Sequence, residues 1–430
     1  MPQNDIHTKE YFHSVVFYRE DCIGCTKCVR VCPTEAIRVR MGKAIIDPHR
    51  CIDCSKCVSV CPTEALRVEA DKLESIYSFK YRLAVISASY EGQFAEDFGF
   101  KNALKALYHL GFDEVAEQAM ITNITAEIIR DYIKIHPNIR PILSSNCPAI
   151  VRLVQVRFPS LLPNLLHIES PMSMLAKYYR DKIIREKGLK EEDIGIFLIV
   201  PSASQVTAVH QPEGNYKHLH NGAIAINEIY SKVLAMQKEL EEDTRPIVSY
   251  ANGLSWALSG MEAEEIATEG IETLAISGIH NVIEVLSNIE GHRLDQYHYI
   301  ELRNCEQGCV GGGLNIENPF VAASRIRKLI NNSEKIKIDN DYFFRLYKEG
   351  YFDVTQLEPR SMMELDKDIK TAITKMKRVK EITDMLPGID CAVCGSPTCK
   401  ALAEDIVLEK AELSDCLIRL RKLRTKKNEE

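Results

Sequence analysis

From residue 81 onward the chain alternates short apolar runs with longer stretches whose apolar residues recur at helical spacing. Such alternation predicts parallel strands covered by helices, an α/β arrangement. Buried strands are predicted at 83–87, 141–143, 195–200 and 297–302, and helices at 94–110, 149–158, 172–186, 224–240 and 277–288. Residues 320–384 read as helical and charged, with Lys370 to Lys380 forming a solvated face. In an open parallel sheet, ligands gather beyond the carboxyl ends of the strands. Three unusual segments fall there: SSNCP at 144–148, PSASQ at 201–205 and NCEQGCVGGG at 304–313.

Composition narrows the class. The 430 residues suffice for two to four domains, at roughly 100–200 residues each. Hydrophobic and charged fractions of 45% and 27% exclude wholesale disorder and fibrous repeats. A net charge of −7 leaves no global attraction to nucleic acid. Residues 1–15 are polar, and the apolar run at 194–200 is far too short to span a bilayer. The expectation is a cytoplasmic protein with no membrane span.

Fifteen cysteines change the picture. Cytosolic thiols are kept reduced and an odd count cannot pair fully, so the reading is metal rather than disulfide. Residues 22–39 and 51–68 are copies, identical at 14 of 18 positions, each with the pattern C-x2-C-x2-C-x3-C-P. That spacing turns three thiolates toward one iron-sulfur cube while the fourth reaches the other. Cys22, Cys25, Cys28 and Cys61 are therefore assigned to cluster I, and Cys51, Cys54, Cys57 and Cys32 to cluster II. The segment resembles the bacterial two-cluster ferredoxins. Zinc also accepts C-x2-C, but rarely eight thiolates in this crossed spacing.

The middle segments carry a second resemblance, to the catalytic domain of the FeFe-hydrogenases. That family's third motif, ExxxCxxGCxxGG, is matched by Glu301, Cys305, Gly308, Cys309, Gly312 and Gly313. Of its first motif, TSCCP, Cys147 and Pro148 match, but Asn146 stands where active enzymes carry a proton-relaying cysteine. Of its second, PCxxK, Pro201 matches, but Ser202 replaces the ligand cysteine and Gln205 the lysine that holds a cyanide of the di-iron unit. The stretches Leu110-Gly111-Phe112-Asp113 and Ser170-Pro171-Met172 agree with the family as well. The resemblance implies a cubane held by Cys147, Cys305 and Cys309, with Ser202, His210 or solvent as the fourth ligand. The competing reading is three buried free cysteines, since cysteine packs well as a small hydrophobe. Gly311 to Gly313 lack the spacing of a phosphate cradle and are read as close backbone packing. His210, His218 and His220 are weighed as zinc ligands and read as exposed loop histidines.

Toward the C-terminus, Cys391, Cys394, Cys399 and Cys416 follow C-x2-C-x4-C-x16-C. Pro387, Gly388, Gly395 and Pro397 turn the chain so that three thiolates gather, and a helix from Lys400 returns Cys416 to them. The spacing resembles the four-cysteine iron-sulfur domain of corrinoid proteins and sensory FeFe-hydrogenases, although a structural zinc fits four thiolates too. The basic run from Arg419 to Lys427 reads as a solvated helix end.

The expected architecture is thus a two-cluster α+β ferredoxin domain at 1–75, an α/β hydrogenase-like domain at 81–335, a helical linker at 336–384 and a small, mostly helical iron-sulfur domain at 385–430. Four 4Fe-4S clusters are expected, and no di-iron hydrogenase cofactor. The resemblance implies electron transfer or redox sensing in an anaerobe, with a ferredoxin, flavoprotein or signalling protein as redox partner. An active hydrogenase and a cluster-assembly factor are the two alternatives.

Overall fold

The structure is a computed structural model that describes residues 10–214, 219–247, 250–331, 340–355, 357–360, 365–366 and 368–421. His218, the start of the polar segment at 1–9 and the basic run from 422 lie outside the described residues. The chain forms two compact units, residues 1–68 with 360–430 and residues 69–359.

In the smaller unit, β1 (Val15–Phe17) pairs antiparallel with β4 (Leu66–Val68), and β2 (Ile37–Arg40) with β3 (Lys43–Ile46). The two copies fold alike: one-turn helices Lys27–Val31 and Lys56–Ser59 are entered through left-handed residues Thr26 and Ser55. The C-terminal part contributes two helices. In Ile369–Met385 the Asp368 carboxylate accepts the Thr371 N–H, and in Cys399–Val407 the Thr398 hydroxyl accepts the Ala401 N–H, so each start is capped. Val379, Ile382, Leu386 and Leu402 pack between them around Cys416.

The larger unit holds two parallel sheets. The first contains β5 (Tyr81–Ile86), β6 (Glu114–Glu117), β8 (Ile194–Val200) and β9 (Gly222–Ala225), in the order β6-β5-β8-β9. The second contains β7 (Ile142–Leu143), β10 (Thr273–Ser277) and β11 (Tyr299–Arg303), in the order β10-β11-β7. Every residue of β8 is buried, as an apolar run covered on both faces must be.

Four of the strands are legible as apolar runs, and β6, β9 and β10 are not. β6 reads Glu-Val-Ala-Glu and looks polar, β9 overlaps the start of a predicted helix, and β10 ends where another begins. The helix predicted at 224–240 therefore begins at Ile226 and breaks at Met236 into Ile226–Ala235 and Gln237–Glu242. The helix predicted at 94–110 begins only at Phe100, because Phe94 and Phe98 serve as core plugs, Phe94 stacking on Phe98 and Tyr230. The linker expected at 336–384 is not one segment: helix Asn340–Lys348 belongs to the larger unit and Ile369–Met385 to the smaller.

Candidate metal centres

Each cysteine group lines its own cavity. Cys22, Cys25, Cys28 and Cys61 line one, walled by Phe17, Val39, Ala44 and Leu66. Cys32, Cys51, Cys54 and Cys57 line a second, walled by Val15, Ile37, Ile46 and Ile52. Cys32 and Cys61 thus sit with the other repeat's triplet. Positive φ angles at Thr26, Asp53 and Ser55 let the loops curl around these cavities. The Ala36 N–H donates to Cys32 Sγ at 3.2 Å. Cys391, Cys394, Cys399 and Cys416 line a third cavity, where Asp390 accepts the Cys399 N–H at 2.6 Å.

Burial raises several of these thiols, and neighbouring thiols add to the rise. Burial pushes Cys54 up to about 12, and Cys32 beside it adds to the rise. Burial and then Cys54 and Cys32 raise Cys57 well above an ordinary thiol. Burial and neighbouring Cys25 take Cys28 to about 11, and burial with Cys416 raises Cys394. At Cys61 burial also acts upward, but the N–H groups of Leu66, Thr63 and Ala65 outweigh it and lower the thiol. A bound cationic centre would offset that rise.

A single ion and a larger cluster ask for different sulfur spacings. A tetrahedral zinc with thiolates at about 2.3 Å would bring them within about 3.8 Å of one another. Among the described residues only His13, Cys51 and Asp53 bring three ligand atoms within 4.8 Å, so none of the cysteine groups closes to the span of a single ion. His13 there is already engaged, with Nδ1 on Asp53 and Nε2 on Pro48 O, both at 2.9 Å.

The central cavity lies at the ends of β7, β8 and β11 and is lined by Cys147, Cys305 and Cys309 with Asn146, Ser202, Gln205, Arg303 and Asn304. Cys147 immediately precedes helix Pro148–Arg157, and Ser202 precedes Ala203–His210. A Cβ on Gly312 would stand 2.3 Å from Pro201 O, so the glycine run serves close backbone packing between the loops after β8 and β11. The Ser202 hydroxyl donates to Gln205 Oε1 at 3.3 Å. Asn304 Nδ2 stands 3.4 Å from Cys305 Sγ, and Arg303 Nη1 stands 3.7 Å from Cys309 Sγ.

Beneath this floor runs a buried ionic network that sequence reasoning missed. Glu262, fully buried, accepts from Ser144 Oγ at 2.8 Å, Asn146 Nδ2 at 2.9 Å, and from Tyr299 and Arg303. Glu301 accepts from Arg303 Nε at 3.0 Å and from the N–H groups of Gly260 and Ala263. Burial raises the Glu301 carboxyl, with Arg303 pulling it down. Burial likewise raises Cys309, against the pull of Arg303. The available signal was Arg303 itself, a cation two residues before Cys305 in an apolar strand.

A larger, partly open cavity shares Asn146, Pro148 and Gln205 with the central one and is also lined by Met172, Glu169, Glu213 and His220. Burial, then nearby Arg180, pushes His220 down to about 3, so its imidazole is neutral. His220 is therefore half-buried in a cavity wall, not an exposed loop histidine. His210, offered as a fourth ligand, bonds Asp71 Oδ2 at 2.9 Å instead and does not line the central cavity.

The family model for the C-terminal domain of the large chain of iron only hydrogenases matches residues 80–217 and 225–313. A 4Fe-4S dicluster domain model matches 14–68, and an Fe-S cluster model matches 386–418. Iron hydrogenase 1 of Clostridium pasteurianum is 23% identical over 254 residues, which are 48% of this chain and 44% of that relative. The match thus spans less than half of the relative's length. A structure describing stepwise FeFe-hydrogenase H-cluster assembly superposes with a TM-score of 0.50 at 15% identity, over 67% of this chain and 98% of its own. Apo FeFe-hydrogenase HydA1 from Chlamydomonas reinhardtii gives 0.50 at 15% identity, over 66% and 95%. At such identity the likeness carries the fold: parallel sheets with helices.

Proposed function

We propose, for a chain that belongs to the iron-only hydrogenase family, electron transfer or redox sensing without hydrogen turnover. One observation carries the reading: the Ser202 hydroxyl donates to the Gln205 side-chain oxygen at 3.3 Å, where the family motif puts a ligand thiolate and a lysine. A hydroxyl is a harder, less acidic ligand than a thiol, and an amide brings no cation. Asn146 commits its N–H to Glu262 and has no pKa near neutrality, so it relays no proton.

Iron-sulfur clusters bound at the four cysteine groups would supply one-electron storage and outer-sphere transfer. The chain's own part is to hold and shield. Three cysteine quartets face apolar walls, and Cys147, Cys305 and Cys309 would hold a centre at the central cavity, its remaining position left to Ser202 or solvent. Donors aimed at sulfur, from Ala36, Asn304 and Arg303, favour the more reduced, more negative state. Electrons enter at the exposed rim of the first quartet, where Cys25 is exposed and Ile23 is 65% exposed, by docking of a redox partner protein.

The test is to incubate the anaerobically reconstituted chain with a supplied di-iron cofactor, then follow hydrogen by gas analysis and bound carbonyl and cyanide by infrared. No hydrogen and no bands are expected, while bands are expected after Asn146→Cys, Ser202→Cys and Gln205→Lys together. Equal bands in both proteins would refute the reading. A second reading, an oxidoreductase acting on a small molecule, is favoured by the partly open cavity beside the central site, which shares Asn146, Pro148 and Gln205 with it.

A further inference from the structure

The smaller unit contains a junction that neither resemblance accounts for. β2 pairs with β3 along one edge, and on its other edge the Val39 N–H donates to Gly395 O at 2.8 Å. Val39 lines the cavity of Cys22, Cys25, Cys28 and Cys61, and Gly395 directly follows Cys394 of the C-terminal quartet. One backbone hydrogen bond therefore joins the walls of two cysteine cavities. Gly395 has φ +81°, and a Cβ there would stand 2.0 Å from Val39 O, so no other residue permits the approach.

A buried polar lock secures this approach. Asp405, 4% exposed, accepts from Arg38 Nε at 2.7 Å, Arg40 Nη2 at 2.7 Å and Ser396 Oγ at 2.8 Å. Arg40 also donates to Cys394 O at 3.1 Å and to Ser396 Oγ at 2.7 Å. A carboxylate held by two guanidinium groups and a hydroxyl is geometrically specific, and it costs heavily to break because the partners are left buried and unpaired.

We propose that the quartet Cys391, Cys394, Cys399 and Cys416 is the direct electron partner of the quartet Cys22, Cys25, Cys28 and Cys61, with Val39 and Gly395 as the bridge and Arg38, Arg40 and Asp405 as its clamp. The proposal rests on the reading that both quartets hold iron-sulfur clusters. The step moves one electron: the reduced centre of one quartet is oxidised, the oxidised centre of the other is reduced, and no bond or proton changes hands. The first electron comes from a low-potential one-electron donor.

The experiment uses the full chain, reconstituted anaerobically and reduced with dithionite. Iron content and the electron paramagnetic resonance signal of each site report whether both clusters are present, and absence of either refutes the underlying reading rather than the pairing. With both present, the wild type is expected to show magnetic broadening between the two signals. Gly395→Ala is expected to lose that broadening and to speed exchange of the Val39 amide by about tenfold or more, the scale of one hydrogen bond. The milder Asp405→Asn is expected to weaken the broadening with both clusters retained. Independent signals in the wild type, or broadening and Val39 exchange unchanged in both variants, would overturn the pairing.

Discussion

The Asn146 side-chain amide donates to Glu262 at 2.9 Å, which ties the rim of the central cavity to a fully buried carboxylate that also receives Arg303. Replacing Asn146 with cysteine removes that bond, while Ser144, Tyr299 and Arg303 keep Glu262 partnered. The expected cost is about 1 kcal/mol, read as a lower urea midpoint with an unchanged slope. A loss several times larger would mean that Asn146 also shapes the loop.

Arg303 matters more. Arg303→Met leaves Glu262 and Glu301 buried without their shared cation. The expected destabilisation is about 3–5 kcal/mol. Adding Glu301→Gln to Arg303→Met is expected to recover part of it, measurable as a coupling in a double-mutant cycle.

The crossed cavities make the repeats unequal to mutation. Cys32 lies in the first copy but lines the cavity of Cys51, Cys54 and Cys57. Cys32→Ser is expected to lower bound iron by up to about four atoms and to erase the resonance of that site, leaving the Cys22 site intact. Loss confined to the Cys22 site would contradict the arrangement.

A buried acid pair gives the larger unit a pH signature. Glu91, which opens the short turn Glu91–Gln93 after β5, and Glu117, the last residue of β6, are neighbours; burial raises Glu91 well above an ordinary carboxyl and takes Glu117 from 4.5 to about 7. A carboxyl raised in the folded state stabilises fully below its unfolded pKa, and the contribution is lost as pH rises through the folded value. Stability is therefore expected to fall between about pH 4.5 and pH 7 through this group. Glu117→Gln is expected to flatten that slope in urea midpoints taken at pH 5 and pH 8. An unchanged slope would assign it to other groups.

The sequence was most readable where chemistry dictates spacing. The copies at 22–39 and 51–68 specified which cysteines line a cavity together, and the loops after β7, β8 and β11 fell where ligands belong in a parallel sheet. Readability failed where a residue acts through distant partners. Arg303 reaches Glu262 across 41 positions of chain, and Arg40 reaches Asp405 across 365, separations that no local periodicity records. It failed too at β9, whose Gly-Ala-Ile-Ala is indistinguishable from the first turn of the helix that follows.

The same long separation orders events in time. β2 emerges early in synthesis, yet the partner for its free edge, Gly395, and the acceptor for Arg38 and Arg40 arrive only after the whole larger unit has been made. Closing so long a loop adds little to the final free energy, because that cost grows only with the logarithm of length. A ribosome-bound chain meanwhile carries an uncovered strand edge and two unneutralised guanidinium groups, a template for the wrong neighbour. The hydrogenase-like unit is thus an insertion in the chain that delays completion of the smaller unit: truncation before Gly395 leaves that edge open, and truncation before Asp405 leaves Arg38 and Arg40 without their carboxylate.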